Sequence, residues 1–181
     1  MNLIARAMSA AEGAPGAGLL AAVAEPARTI ALVGGAFGLA FVFPRVVPTG
    51  PNPATDDWYR ALKKPVWQPP SWVFPAVWIP LKILQTAALT LVWKFTEKPL
   101  VPTLCYIVHV GLGSLWNYVF FGRRNMKASI GVMATFWVSL IVTAVSYGLA
   151  GADVAAYLLI PTGIWVTIAG ALNTHTYILN K

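Results

Sequence analysis

Charged residues are scarce in this 181-residue chain. They make up 10% of it, whereas a typical soluble domain has about 25%. Hydrophobic residues make up 57%. A chain of this composition cannot cover a water-soluble surface with charge, which excludes an ordinary soluble domain and favours a protein that lies in a membrane.

Cysteine and clustered metal ligands are also scarce. Cys105 is the single cysteine, so the chain cannot form an internal disulfide and gives no information on redox compartment. The apolar run that contains His109 has no second histidine and no carboxylate, and Cys105 alone adds too few ligands, so a metal site is poorly supported. The sequence shows no acid–base pair and no nucleophile constellation, so we assign no catalytic residue and expect no obligatory cofactor.

Long apolar runs, in contrast, are abundant. A helix that spans a bilayer needs roughly 20 mostly apolar residues. Five runs approach this length: 29–47, 72–93, 100–121, 128–149 and 154–179. Short links join the last four, so the sequence predicts an all-α integral membrane protein, a five-transmembrane-helix bundle over 29–181. Residues 1–28, rich in Ala and Gly, are expected to form a disordered tail or a targeting segment.

Basic residues exceed acidic ones and give the chain a net charge of +7. Because the cations lie between apolar runs, we expect them to attract anionic lipid headgroups and not nucleic acid. Eight of them fall on the side of the first loop, the third link and the C-terminus, against four on the other side. The positive-inside rule therefore places the first loop and the C-terminus on the cytosolic side. Both an organelle membrane and a bacterial membrane fit this pattern.

The first loop contains the stretch KKPVWQPPSWVFPAVW at 63–78, with three tryptophans and four prolines. Proline resists helix because its ring fixes φ and it has no N–H. We therefore expect a stiff, non-helical segment at the membrane surface that directs Trp67 and Trp72 towards the mouth of the bundle. Trp78 would lie deeper, in the second span. Two interpretations remain open: an interfacial aromatic belt, or a cap over a ligand.

Polar and aromatic residues recur at helical spacing in the later runs. His109 and Trp116 share a face of the third run, and Asn117 lies beside them. Trp165 and Ala169 form a similar stripe on the fifth. Polar groups inside membranes usually face the bundle interior or a cavity, so helix–helix hydrogen bonding and ligand contact both explain this pattern.

Lys82 is a charged residue inside the second run. It lies eleven residues after Ser71, roughly 16 Å along a helix that rises about 1.5 Å per residue. An unpaired charge at that depth costs at least about 2.5 kcal/mol, and no acidic residue falls in the core of any run. Lys82 is therefore expected to be neutral, linked to water, or matched by an anionic ligand.

Three sequence blocks together resemble a known family. WYRALKKPVWQPPSWVFPAVW (58–78) resembles the signature of the TspO/MBR family, the tryptophan-rich sensory proteins and the translocator protein, or peripheral-type benzodiazepine receptor. FFGRRNM (120–126) resembles the family's third-to-fourth-helix link, and PTGIWVTIAGALNTHTYILN (161–180) its fifth helix. The third run, with GSLWNYVFFG, is closest in style to algal, plant and cyanobacterial relatives.

The resemblance implies a five-helix bundle, often a homodimer, with a cavity beneath the first loop. In the family this cavity binds porphyrins, other tetrapyrroles and benzodiazepine-type ligands, and in some members sterols. The residues that resemblance and spacing together select as ligand-binding are Trp67, Trp72, Trp78, Lys82, His109, Trp116, Asn117, Trp165 and Ala169. Leu172, Tyr177 and Lys181 fit a short sterol-binding pattern, which is a weak motif. Where this chain has Lys82, the family usually has tyrosine.

Three functions are compatible with these observations. The leading prediction is a membrane receptor or carrier for tetrapyrroles such as porphyrin or haem, in stress or tetrapyrrole homeostasis. The second is an enzyme that degrades porphyrin in light, and the third is a structural subunit of a larger membrane complex. The expected partners are the lipid bilayer, an apolar ligand and a second copy of the chain. Small residues favour close helix approach in lipid, and they occur at Gly34 and Gly38 and at Gly111 and Gly113.

Overall fold

The computed structural model describes residues 17–46 and 50–181, and its secondary structure there is helical. The helices are α1 (Ala17–Phe37), α2 (Phe43–Val46), α3 (Asp57–Ala61), α4 (Val73–Phe95), α5 (Leu100–Asn117), α6 (Met126–Leu149), α7 (Asp153–Tyr157) and α8 (Ile160–Leu179), with π-helical turns at Gly38–Val42 and Tyr118–Gly122. Within these residues, five apolar helical segments are long enough to cross a membrane: Glu25–Val46, Val73–Phe95, Leu100–Gly122, Met126–Leu149 and Asp153–Leu179. We number them spans one to five. They confirm the predicted all-α, five-span architecture.

The first helix begins earlier than the apolar run that predicted it. The run begins at residue 29, whereas α1 begins at Ala17. Part of the expected tail, 17–28, is therefore helical, which agrees with its content of alanine and leucine, two strong helix formers. The rest of the expected tail or targeting segment, 1–16, lies outside the described residues.

Pro44 accounts for a local change in the first span. In an α-helix the Ala40 carbonyl would accept a hydrogen bond from the N–H of residue 44, but proline has no N–H. The chain forms a π-helical turn over Gly38–Val42, and the Ala40 carbonyl accepts a hydrogen bond from Nζ of Lys82 on the second span. Because Pro44 cannot donate to it, the Ala40 carbonyl is available to accept the hydrogen bond from Lys82, which is distant in sequence.

Around the bundle the spans follow the order one, two, five, four, three. The first span packs on the second and the third, the third on the fourth, the fourth on the fifth, and the start of the fifth on the second. A core cluster fills the half of the bundle away from the first loop, and its fully buried members include Leu89, Val92, Tyr106, Tyr147 and Leu159. The half beneath the first loop is less filled.

The first loop is tied to the end of the fifth span by an asparagine side chain. Oδ1 of Asn180 accepts a hydrogen bond from the Lys63 N–H at 2.9 Å, and its Nδ2 donates to the Lys63 carbonyl at 2.8 Å. The chain from Leu62 to Trp72 is non-helical, as the prolines predict. The Asn180 amide therefore fixes a segment that has no regular backbone pairing of its own.

The same loop is tied to the link between the third and fourth spans. Asp56 is buried and pairs with Arg124, with Oδ1 and Nη2 3.2 Å apart. Gly50 has φ +90°, and a Cβ there would lie 2.5 Å from the Gly122 backbone nitrogen. Glycine is required at that position because both the conformation and the close approach exclude a side chain.

Candidate functional site

A cavity of about 520 Å³ lies beneath the first loop. The second to fifth spans form most of its walls, the first span adds Pro44, and loop residues within 52–71 form its mouth. Small-molecule sites in proteins typically measure about 300–1,000 Å³ and are mostly apolar with a few polar groups. The cavity agrees with this description in size and in character.

Aromatic side chains form much of the cavity wall. Trp78 contributes from the second span and Trp116 from the third. Trp116 stacks on Phe120 with ring centroids 5.5 Å apart and planes 26° apart, and Phe136 stacks on His109 at 4.5 Å and 14°. Aromatic faces pack well against other flat rings, so these walls suit a flat, apolar ligand.

Gln85 and His109 are held by hydrogen bonds in the deeper part of the cavity. Gln85 donates from Nε2 to Thr162 at 3.2 Å and accepts from the Tyr106 hydroxyl at 3.2 Å. His109 Nδ1 lies 3.1 Å from Oγ of Ser139. The Ser139 hydroxyl donates to a backbone carbonyl at 2.6 Å, so its oxygen accepts from His109 and the proton lies on Nδ1. Both side chains are oriented before a ligand arrives.

Asn173 connects three spans at the wall of the cavity. Its Oδ1 accepts from the Trp116 indole N–H at 2.7 Å and lies 3.0 Å from Oγ of Ser129. An indole N–H can only donate, so it fixes which end of the amide faces Trp116. Asn173 Nδ2 is buried and has no hydrogen-bond partner within 17–46 and 50–181. Asn117 differs, because its Nδ2 donates to the Gly113 carbonyl of its own helix at 2.9 Å.

Lys82 lies on the wall of the same cavity. Its Nζ donates to the Ala40 carbonyl and lies 5.6 Å from the centroid of the Phe41 ring. In the part of the chain that the structure describes, none of the ion pairs includes Lys82. The ammonium group is therefore held by a carbonyl dipole and an aromatic face and not by a carboxylate.

Six of the nine predicted ligand-binding residues line this cavity: Trp78, Lys82, His109, Trp116, Asn117 and Ala169. Three do not. Trp67 donates from Nε1 to Nδ1 of His175 at 3.0 Å, Trp72 is 69% exposed, and Trp165 is buried against Phe74 with ring centroids 5.9 Å apart. Ligand contact by all nine residues stays a prediction.

The residues of the sterol pattern lie in different surroundings. Leu172 is buried and lines the cavity, Tyr177 is half-buried, and Lys181 is exposed at the end of the fifth span. Nothing in this arrangement tests sterol binding, which stays a prediction.

Several cavity residues have no counterpart in the sequence-based set. Met133 and Phe136 on the fourth span are apolar, so nothing distinguishes them in sequence from residues that face lipid. Gln85 has a signal, because it follows Lys82 by three residues and shares its helix face. Tyr59 and Gln68 come from the loop. Burial raises the pKa of the Tyr59 phenol, and its hydrogen bond with Gln68 partly opposes the rise, so Tyr59 is a neutral hydrogen-bonding group at the cavity mouth.

Comparison with known proteins connects this chain to one family. A sequence model of the TspO/MBR family matches residues 29–179. The tryptophan-rich sensory protein of Cereibacter sphaeroides is 35% identical over 133 residues, 73% of this chain and 82% of that protein. Protein CrtK of Rhodobacter capsulatus is 33% identical over 127 residues, 68% and 78% of the two chains. The translocator protein of Homo sapiens is 35% identical over 121 residues, 64% and 70% of the two chains.

Proposed function

The chain belongs to the TspO/MBR family and is an integral, multi-pass membrane protein, and on this basis we propose that it is a membrane receptor or carrier for tetrapyrroles such as porphyrin or haem. The observation that carries the proposal is the cavity of about 520 Å³ beneath the first loop. Its aromatic walls suit a flat macrocycle, and its few oriented polar groups suit the substituents at the edge of such a ring.

A titration of the purified protein with protoporphyrin, first in darkness and then in light, tests this function. Saturable quenching of tryptophan fluorescence in darkness is the expected result, because Trp78 and Trp116 line the cavity. New absorbing products that form only under light and only with the protein would indicate porphyrin degradation. An absence of quenching would contradict the receptor function and favour a structural subunit.

Trp78→Ala is expected to weaken porphyrin binding about tenfold, equivalent to about 1.4 kcal/mol. The indole ring lines the cavity and offers a stacking surface that alanine lacks. Fluorescence titration in detergent measures the effect. Trp137→Ala is the matched control, because Trp137 on the fourth span is 40% exposed and donates to Thr167 at 2.9 Å. Equal affinities in the two variants would remove Trp78 from the site.

The predicted ligand cap is tested by changing Trp67 and Trp72 together to alanine. A loss of affinity of at least tenfold, about 1.4 kcal/mol, would show that the loop tryptophans contact ligand as predicted. An unchanged affinity in a folded double variant would leave them an interfacial role only.

We also propose that the first loop and the C-terminus face the cytosol. The support is the excess of basic residues on that side, which includes Arg60, Lys63, Arg123 and Lys127. The test is a Lys181→Cys variant in a Cys105→Ala background, treated with a membrane-impermeant thiol reagent. Labelling from the cytosolic face supports the orientation, and labelling from the opposite face only would reverse it.

The chain is proposed to form a homodimer through the first span. A Cβ at Gly34 or Gly38 would meet nothing within 4 Å, so intramolecular packing does not explain these glycines. A Cβ at Gly113 would lie 3.1 Å from the Phe136 ring, which explains that glycine within one bundle. Small exposed residues permit a second helix to approach closely in lipid.

Gly34→Leu with Gly38→Leu is expected to reduce cross-linked dimer in native membranes at least fivefold while thermal stability stays within a few degrees. The leucines would block close approach of a second copy, and a Cβ at either position meets nothing within 4 Å inside the bundle. Gly131→Leu is the matched control, since a Cβ at Gly131 of the fourth span also meets nothing within 4 Å. A dimer fraction that stays at the wild-type level in the double variant would exclude this surface.

A further inference from the structure

Lys82 is one of three residues with chemically different side chains that lie on one face of the second span. Trp78, Lys82 and Gln85 follow one another at intervals of four and three residues, so they lie on the same side of the second span. All three line the cavity. An aromatic ring, a cation and an amide thus succeed one another along the cavity wall, with about 6 Å of helix rise between Trp78 and Lys82.

The charge of Lys82 is only partly compensated by the protein. Its ammonium group has three N–H donors, and the Ala40 carbonyl takes one of them. The Phe41 ring adds a cation–π contact at 5.6 Å. Both partners are neutral, so the cavity wall keeps a net positive charge at this point.

The acidic residues nearest to the mouth of the cavity are already paired. Asp56 forms an ion pair with Arg124 at 3.2 Å, and Asp57 forms one with Arg60 at 3.6 Å. Arg45 adds a further positive charge at the end of the first span, where its Nη1 donates to the Phe41 carbonyl at 3.1 Å. An anion that enters the cavity near Lys82 would therefore meet only cationic and neutral groups among the described residues.

We propose that Lys82 binds the carboxylate of a flat, apolar ligand whose ring lies against Trp78, so that the cavity selects ionised carboxylic acids over their neutral esters. The inference rests on the proposed function and adds the charge of the ligand to it. A carboxylate on a short arm from the ring can cover the helix rise of about 6 Å between Trp78 and Lys82. Charge-assisted hydrogen bonds are stronger than neutral ones, and the partly buried position of Lys82 weakens solvent screening.

A purely structural role for Lys82 makes a different prediction. If its contact with Ala40 only fixed the first span against the second, removal of the ammonium group would alter the cavity for every ligand alike. Comparison of an acid with its neutral ester separates the two roles, because the ligands share one ring and differ in charge.

The experiment measures the affinities of protoporphyrin IX and its dimethyl ester for wild type, Lys82→Met and Lys82→Arg. The wild type is expected to bind the acid at least tenfold more tightly than the ester. Lys82→Met should lose at least tenfold for the acid and less than twofold for the ester, whereas Lys82→Arg should retain the preference for the acid. Lys94→Met is the matched control, because Lys94 lies on the same helix outside the cavity and contacts Thr29 at 3.5 Å.

Each other outcome has a distinct meaning. Equal loss for acid and ester in Lys82→Met, or no loss for either, removes Lys82 from the ligand site and leaves the proposed function intact. Equal affinity of the wild type for acid and ester overturns the inference without any variant, so the test does not depend on folding of Lys82→Met. If the wild type binds neither form, the proposed function fails, and the inference fails with it.

Discussion

Ala169→Phe is expected to lower the affinity for porphyrin at least a hundredfold, about 2.7 kcal/mol. Ala169 lies on the fifth span, lines the cavity and packs beside Met133, Phe136 and Val166. A phenyl ring at this point would project into the space that the ligand needs. Protein interiors are close-packed and do not open readily for an added ring, so the steric effect exceeds the loss of any one contact.

Ala171→Phe provides the matched comparison for this prediction. Ala171 lies two residues further along the same helix but is exposed, and it does not line the cavity. The same change there should leave porphyrin affinity within twofold of wild type. Fluorescence titration and gel filtration in detergent measure affinity and folding together. A folded Ala169→Phe protein with wild-type affinity would show that porphyrin does not bind in this cavity.

Asn180→Ala is expected to accelerate ligand release about thirtyfold. The variant removes both hydrogen bonds between the Asn180 side chain and the Lys63 backbone. Each bond contributes about 0.5–1.5 kcal/mol, so the loop held by Asn180 loses about 2 kcal/mol of stability relative to a released loop. A difference of about 1.4 kcal/mol corresponds to a tenfold change in rate. Stopped-flow displacement of bound porphyrin measures the release rate.

Asn125→Ala controls for a general loss of stability. Oδ1 of Asn125 accepts from the Ala128 N–H at 2.9 Å and caps the fourth span, and the Asn125 side chain makes no hydrogen bond to the described residues of the first loop. Loss of such a cap typically costs about 1 kcal/mol of stability, so release from this variant should stay near the wild-type rate. A release rate in Asn180→Ala no higher than in Asn125→Ala would show that the amide contact does not control access.

The positions of the spans can be predicted from sequence because the thickness of the bilayer sets the length of an apolar run. The second run was predicted to begin at residue 72 and the third at 100, and the helices begin at Val73 and Leu100. Such runs do not show where an α-helix changes to a π-helical turn. The π-helical turn lies before Pro44, which has no N–H, and the donor to the Ala40 carbonyl, Lys82, is 42 residues away from it.

Residues of the candidate site can be predicted from sequence only where their side chains differ from the apolar residues that face lipid. His109, Trp116 and Lys82 were selected because polar or aromatic groups at helical spacing stand out within an apolar run, and they line the cavity. Phe136 was missed since an apolar side chain looks the same whether it faces lipid or a cavity. The position of Trp67 was not predictable either, because its partner His175 lies 108 residues away and no local pattern connects the two.

The contact between Lys63 and Asn180 has a consequence for biosynthesis. The two residues are 117 positions apart, and ribosomes add roughly 5 to 20 residues per second. Lys63 is therefore made roughly 6 to 23 seconds before its partner. During that interval the first loop of the nascent chain lies at the membrane surface without its hydrogen bonds to Asn180. These bonds can form only after the fifth span has been translated.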